Sequence, residues 1–145
     1  MVSLDRNGME ILDRQECLAL LRSREVGRVG LVAHGLPSIL PVNYRVLGED
    51  IVFATGTGSK SLSVTHEEVI AFQIDDAVPE TRSGWSVLTV GRATELAERD
   101  PDWEAAQSLD LHPWVGHFAD QLIRVPTERI TGRRLVGPPA RRDRS

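Results

Sequence analysis

Between Val26 and Thr55 the chain alternates apolar with other side chains at a period of two, broken twice by short turns. That pattern permits little except neighbouring antiparallel strands. Gly27, Val29, Leu31 and Ala33 alternate with Arg28, Gly30 and Val32 until His34-Gly35 supplies a turn. The next run is cleaner. Leu40, Val42, Tyr44 and Val46 share one face, and Ile39, Pro41, Asn43 and Arg45 share the other. Leu47-Gly-Glu-Asp50 is a second turn, and Ile51 to Thr55 a third strand. Strand, turn, strand, turn, strand is an antiparallel meander.

The flanking segments extend it. Asp13 caps a helix with Glu16 three residues on, Leu12 and Cys17 take the staple positions, and Leu18, Leu20 and Leu21 continue an apolar face to Arg22. Cys17 reads as a small core residue. A strand over 69–76 puts Ile70, Phe72 and Ile74 on one side, and 77–84 reads as a polar loop. Trp85 to Leu96 reads as the longest strand, with Gly91 a bulge or point of close approach. Asp100 is expected to cap a short helix with Pro101 at its first position; 108–120 is irregular, and 122–131 is a last strand. The expected organisation is an arm over 1–10, a folded domain over 11–136 and a disordered tail over 137–145. Six or so strands with two or three short helices predict a mainly β fold, a small antiparallel β-barrel.

A length of 145 residues suits one domain. The net charge of −4 argues against a general nucleic-acid binder. One cysteine excludes an intrachain disulfide. The first residues show no basic region followed by an apolar core, and no apolar run reaches spanning length, so a soluble cytoplasmic protein with no membrane partner is expected.

Chemistry concentrates in Thr55-Gly-Thr-Gly-Ser-Lys-Ser61, which places two glycines, four hydroxyls and the chain's one lysine after an apolar strand. Glycines let a backbone approach a phosphate, hydroxyls and amides donate to it, and Lys60 supplies charge. A nucleotide-triphosphate loop is excluded by spacing. Such a loop launches a helix that crosses to a parallel strand over roughly a dozen residues or more, whereas eight residues lie between Lys60 and Val69. The alternative to a phosphate seat is a surface connection. Pro41 removes a ladder donor, so Pro41-Val-Asn-Tyr44 marks either a ligand-reading edge or an ordinary edge strand. Trp85 is a core, interface or ligand aromatic, with Ser86 a compact donor beside it. His112 and His117 have no cysteine or carboxylate cluster to make a metal site, and His34 and His66 have no local partner either. No nucleophile motif and no catalytic residue is identifiable.

Taken in order, these segments resemble the pyridoxamine 5′-phosphate oxidase-like family of flavin-binding split barrels. The residues that carry the resemblance are the N-terminal helix with Val26–Val32, Pro41–Tyr44, Ile51–Thr55 with Gly58-Ser-Lys60, Val69–Asp75, Trp85–Ala93 and Ile130-Thr-Gly-Arg133. The resemblance implies a homodimer of split barrels with FMN at the interface, a deazaflavin being the alternative cofactor. Pro41, Val42, Asn43 and Tyr44 would lie along the isoalloxazine edge. Thr55, Ser59, Lys60 and Ser61 would hold the phosphate, and Trp85 and Ser86 would approach from the partner subunit. A flavin-dependent oxidoreductase acting on a small molecule is the activity implied; a non-catalytic flavin or haem carrier or sensor is the alternative. The extra basic residues of true pyridoxamine-phosphate oxidases have no counterpart here, which argues against vitamin B6 oxidation.

Overall fold

A computed structural model describes residues 2–56, 68–111 and 119–137. In chain order the elements are β1 (Ser3–Leu4), β2 (Glu10–Leu12), α1 (Arg14–Arg22), β3 (Val26–Ala33), β4 (Leu36–Leu47), β5 (Asp50–Gly56), β6 (Val69–Val78), β7 (Ser83–Arg92), β8 (Thr94–Glu95), α2 (Trp103–Gln107), β9 (Ala119–Val125) and β10 (Arg129–Leu135). The strands form one antiparallel sheet in the order β1-β2-β10-β7-β6-β3-β4-β5-β9-β8. β7 and β8 are separated by Ala93 alone, yet β8 lies at the far end of that order, beside β9. The chain bending at Ala93 therefore joins the two ends of β7-β6-β3-β4-β5-β9 and closes them into a barrel. The fold is the mainly β, antiparallel barrel that the patterning predicts and the split barrel with an N-terminal helix that the family resemblance implies.

The meander is as expected. The hairpin between β3 and β4 turns on His34 (φ 53°) and Gly35 (φ 76°), both left-handed, the geometry whose twist matches the flanking strands. α1 begins with a full capping box: the Glu16 amide donates to Asp13 Oδ1 at 2.8 Å, and the Asp13 amide donates to Glu16 Oε2 at 3.0 Å. Its buried face, Cys17, Leu18 and Leu21, plugs one end of the barrel. Burial also raises the Cys17 thiol pKa, as befits a core residue. The interior is filled by inward residues of the strands, with Tyr44 and Phe72 packed edge to face at 4.8 Å.

Four expectations need correction. The run 122–131 is two strands: β9 pairs with β5, and β10 with β7. Thr127 divides them because its buried hydroxyl donates to the Glu49 carbonyl at 2.6 Å while Arg14 donates to the Thr127 carbonyl at 2.6 Å. The loop over 77–84 is shorter, since Val78 and Ser83 still pair across the hairpin. The longest strand is β4, twelve residues, because β7 stops where the chain bends at buried Ala93. Finally, Asp100 caps the preceding turn, accepting from the Ala97 amide at 2.6 Å; the helix starts after Asp102, which makes no side-chain cap. Gly91 is a point of close approach, since a Cβ there would sit 2.8 Å from the Pro126 carbonyl oxygen. Residues of the expected N-terminal arm form β1 and begin β2, which pairs with β10. The tail expected over 137–145 lies outside the described residues from 138 on.

Gly27 is the tightest point in the meander: a Cβ there would overlap the ring of Phe72. Phe72 is fully buried and has no room to retreat. Gly27→Ala is expected to lower unfolding free energy by about 1–3 kcal/mol, the scale of core overpacking, as read by denaturant titration.

Candidate functional site

Strand β4 is paired along eight residues with β3 but along only four, Tyr44 to Leu47, with β5. Among the described residues, the edge of β4 that faces β5 thus has no ladder partner from 36 to 42. The parity of that edge follows from one bond. The Tyr44 amide donates to the Glu25 carbonyl at 2.9 Å, on the β3 side. Peptide groups alternate in direction along a strand. Even-numbered residues of β4 therefore turn their peptide groups to β3, and Pro37, Ile39, Pro41 and Asn43 turn theirs to the side that faces β5. Both prolines of β4 sit where a ladder donor is not required.

This parity divides the four residues expected to read a ring. Val42 and Tyr44 point their side chains into the core and their peptide groups at β3. The Tyr44 hydroxyl donates to the Leu21 carbonyl at 2.6 Å, satisfying a carbonyl in the last turn of α1. Pro41 belongs to the open edge, with Asn43 sharing its parity, and Ile39, which the pattern reading did not single out as a site residue, joins it. Thr55 is buried near the end of β5, where a register shift between Thr55 and Gly56 carries the strand along β9. Ser59, Lys60 and Ser61 lie outside the described residues.

Trp85 and Ser86 are consecutive on β7, so their side chains leave on opposite faces. Trp85 packs partly against the core, with the Arg24 guanidinium 5.2 Å from its ring centroid. Ser86 shares the outer face with Pro41, but β3 and β6 intervene, roughly 14 Å at ordinary strand spacing. One copy of the chain does not bring Ser86 to Pro41.

The outer face between them divides into two zones. One is polar: Arg28 Nη1 donates to Asp75 at 3.2 Å and to Gln73 at 3.4 Å, and Gln73 donates to Asp75 at 3.0 Å. The Gln73 amide, with Arg28 beside it, holds the Asp75 carboxyl below the usual carboxylate range. Arg28 is the cross-strand partner of both Pro41 and Gln73. The other zone is apolar: Ile39, Gly30, Ala71 and Val90 form one cross-strand row. Val32 is 63% exposed and Ile39 73% exposed beside it. Sequence spacing could not reveal these groupings, since they join residues on four strands. Among the described residues no three His, Cys, Asp or Glu side chains are placed to hold a metal ion.

Residues 13–134 match the model of the pyridoxamine 5′-phosphate oxidase family. The chain belongs to that family. It is 38% identical over 130 residues to an uncharacterized protein of Mycobacterium tuberculosis, covering 86% of this chain and 84% of that one. Among solved structures it resembles the FAD binding protein of Mycobacterium smegmatis, with 32% identity and a TM-score of 0.72 over 87% of this chain and 97% of the other. It also resembles a Corynebacterium glutamicum protein provisionally assigned as a pyridoxamine 5′-phosphate oxidase, with 29% identity and a TM-score of 0.76 over 90% and 96%. None of the described helices is long and apolar enough to cross a membrane.

The inward placement of Tyr44 has a direct optical consequence. Burial pushes its phenol well above the ordinary tyrosine value. With the folded-state value raised, the stability it contributes is intact below about pH 10 and is lost as the pH climbs beyond that. Tyr44 is the chain's only tyrosine, so tyrosinate absorbance reports on it alone. The band is expected to appear together with loss of near-ultraviolet dichroism, rather than at about pH 10 in the folded protein. Normal titration in the folded state would put the hydroxyl in solvent.

Proposed function

We propose that the protein is a flavin-binding oxidoreductase that works as a homodimer, with the flavin ring seated along the open edge of β4. The observation that carries this reading is the half-paired strand. Pro37 and Pro41 present no amide there, while the peptide carbonyls and the Ile39 amide offer mixed acceptors and a donor. A flavin ring edge, which itself combines one N–H with several acceptors, fits such a row. Thr55, near the end of β5, and Ser59, Lys60 and Ser61, which follow β5 in sequence, are the residues suited to the phosphate, with Lys60 supplying a charge-assisted bond.

A bound flavin would supply the hydride or electron transfer. The chain's own part is to hold the ring edge by backbone groups, to neutralise the phosphate and to shape the space beside the ring. The apolar zone of the outer face supports the dimer. A contiguous apolar sheet face with Ile39 and Val32 largely in solvent is the kind of surface that a second copy covers. A partner docked there is also the route by which a Ser86 could approach a ring that its own chain cannot reach. FMN is the form that the family resemblance implies. The Mycobacterium smegmatis relative, an FAD binding protein, is the specific observation that favours the dinucleotide instead.

Purified protein titrated with FMN and with FAD is expected to quench flavin fluorescence at saturable stoichiometry, and sedimentation is expected to show a dimer. Ile39→Glu places a charge in the apolar row. It is expected to yield folded monomer and to weaken flavin binding by at least about tenfold, a change of 1.4 kcal/mol. Absence of binding to either flavin would refute the cofactor. Full affinity in a monomeric Ile39→Glu protein would refute a site built between copies.

A further inference from the structure

A pocket of about 460 Å³ opens on the polar zone of the outer face. Arg24, Glu25 and Arg28, from the start of β3 and the turn before it, line it together with Pro41 of β4 and Asp75 of β6. The volume is in the range of small-molecule sites, about 300–1,000 Å³. Pro41 belongs both to this pocket and to the open edge of β4, so the pocket lies beside the proposed ring seat.

Two arginines border this space, each held from the β6 side, but only the Arg28 guanidinium lies on the outer face; that of Arg24 turns to the inward side of the sheet end. Arg24 pairs with Asp76 at 3.0 Å and lies over the Trp85 ring. Arg28 uses a single nitrogen, Nη1, for both of its described bonds, to Asp75 and to Gln73. Its remaining N–H groups are not used in any described bond. The Arg28–Asp75 pair is about half exposed on both sides, so it orients the guanidinium while adding little attraction of its own. The other acid in the pocket, Glu25, is engaged with Arg45 at 3.3 Å. A planar carboxylate arriving from solvent meets a guanidinium fork, which binds it with two parallel hydrogen bonds more strongly than a one-point contact does.

We propose that this pocket binds the substrate and selects a small carboxylate, with Arg28 as the recognising group, Gln73 as a positioning residue and Asp75 as the resident carboxylate with which the ligand competes. The assignment of the pocket to substrate rests on the ring seat at Pro41; the carboxylate selectivity rests on the Arg28 guanidinium. The test is a titration of the full chain with benzoate and, separately, with benzylamine, in the presence and absence of flavin. It follows the Arg28 Nε–H resonance. Benzoate is expected to shift it saturably, and benzylamine is not.

Arg28→Gln is expected to weaken benzoate binding by about tenfold or more. Asp75→Asn removes the competing carboxylate and is expected to tighten it. These opposite signs separate recognition from simple damage, because a structural role for the pair would weaken binding in both variants. A preference for benzylamine, no saturable benzoate response, or weakening in both variants would overturn the proposal. Benzoate binding by protein that takes up no flavin would keep the carboxylate pocket and refute the ring seat. Flavin binding without a benzoate response would do the reverse.

Discussion

One mismatch of length governs this barrel: β4 is a twelve-residue strand whose pairing with β5 covers only its last four residues. Had β5 continued alongside β4, the barrel wall would be closed and every peptide group of β4 occupied. Instead β5 follows β9, its register shifts at Thr55, and residues 36–42 of β4 keep one ladder partner among the described residues. Buried peptide groups need partners, so a strand can stay half-paired only at a surface or against a ligand. The prolines at 37 and 41 make the open edge cheaper to maintain, because each removes a donor from the side that has no strand to receive it.

The rest of the molecule holds that edge in place from behind. Tyr44 begins the short stretch paired with β5, and its hydroxyl fastens β4 to the end of α1. Phe72 lies against both Tyr44 and the bare backbone of Gly27, so β3, β4 and β6 meet without a gap. The inner face is thus closely packed. The outer face is divided between an apolar row suited to a second copy and a polar cluster beside Pro41. Net negative charge over the whole chain coexists with Arg28 on the outer face and Arg24 on the inward side, because each has an aspartate of β6 beside it.

How much of this was legible follows from the range of each interaction. The meander could be read because alternation and turns are local, and the His34-Gly35 and Leu47–Asp50 turns fix which strands are neighbours. Pro41 could be read as an edge residue, since the missing donor is a property of the residue itself. Which edge was open could not, because that depends on the parity set by the bond from Tyr44 to Glu25. The division of β9 from β10 was hidden for a similar reason. Thr127 is held by Glu49 and Arg14, both remote in sequence, and Pro126 alone is an ambiguous break. The Arg28–Asp75 contact joins residues 47 apart and has no local signature. The family resemblance reached the fold and the order of the strands; it did not distinguish side chains of β4 that face the core from peptide groups that face out.

Amide hydrogen exchange along β4, with and without bound flavin, tests the open-edge account most directly. The parity argument predicts that flavin slows exchange at Ile39, on the open edge, while Val42 and Tyr44, already bonded to β3, change little. Saturable flavin binding that leaves Ile39 unprotected, with new protection confined to residues around α2 and β9, would contradict it.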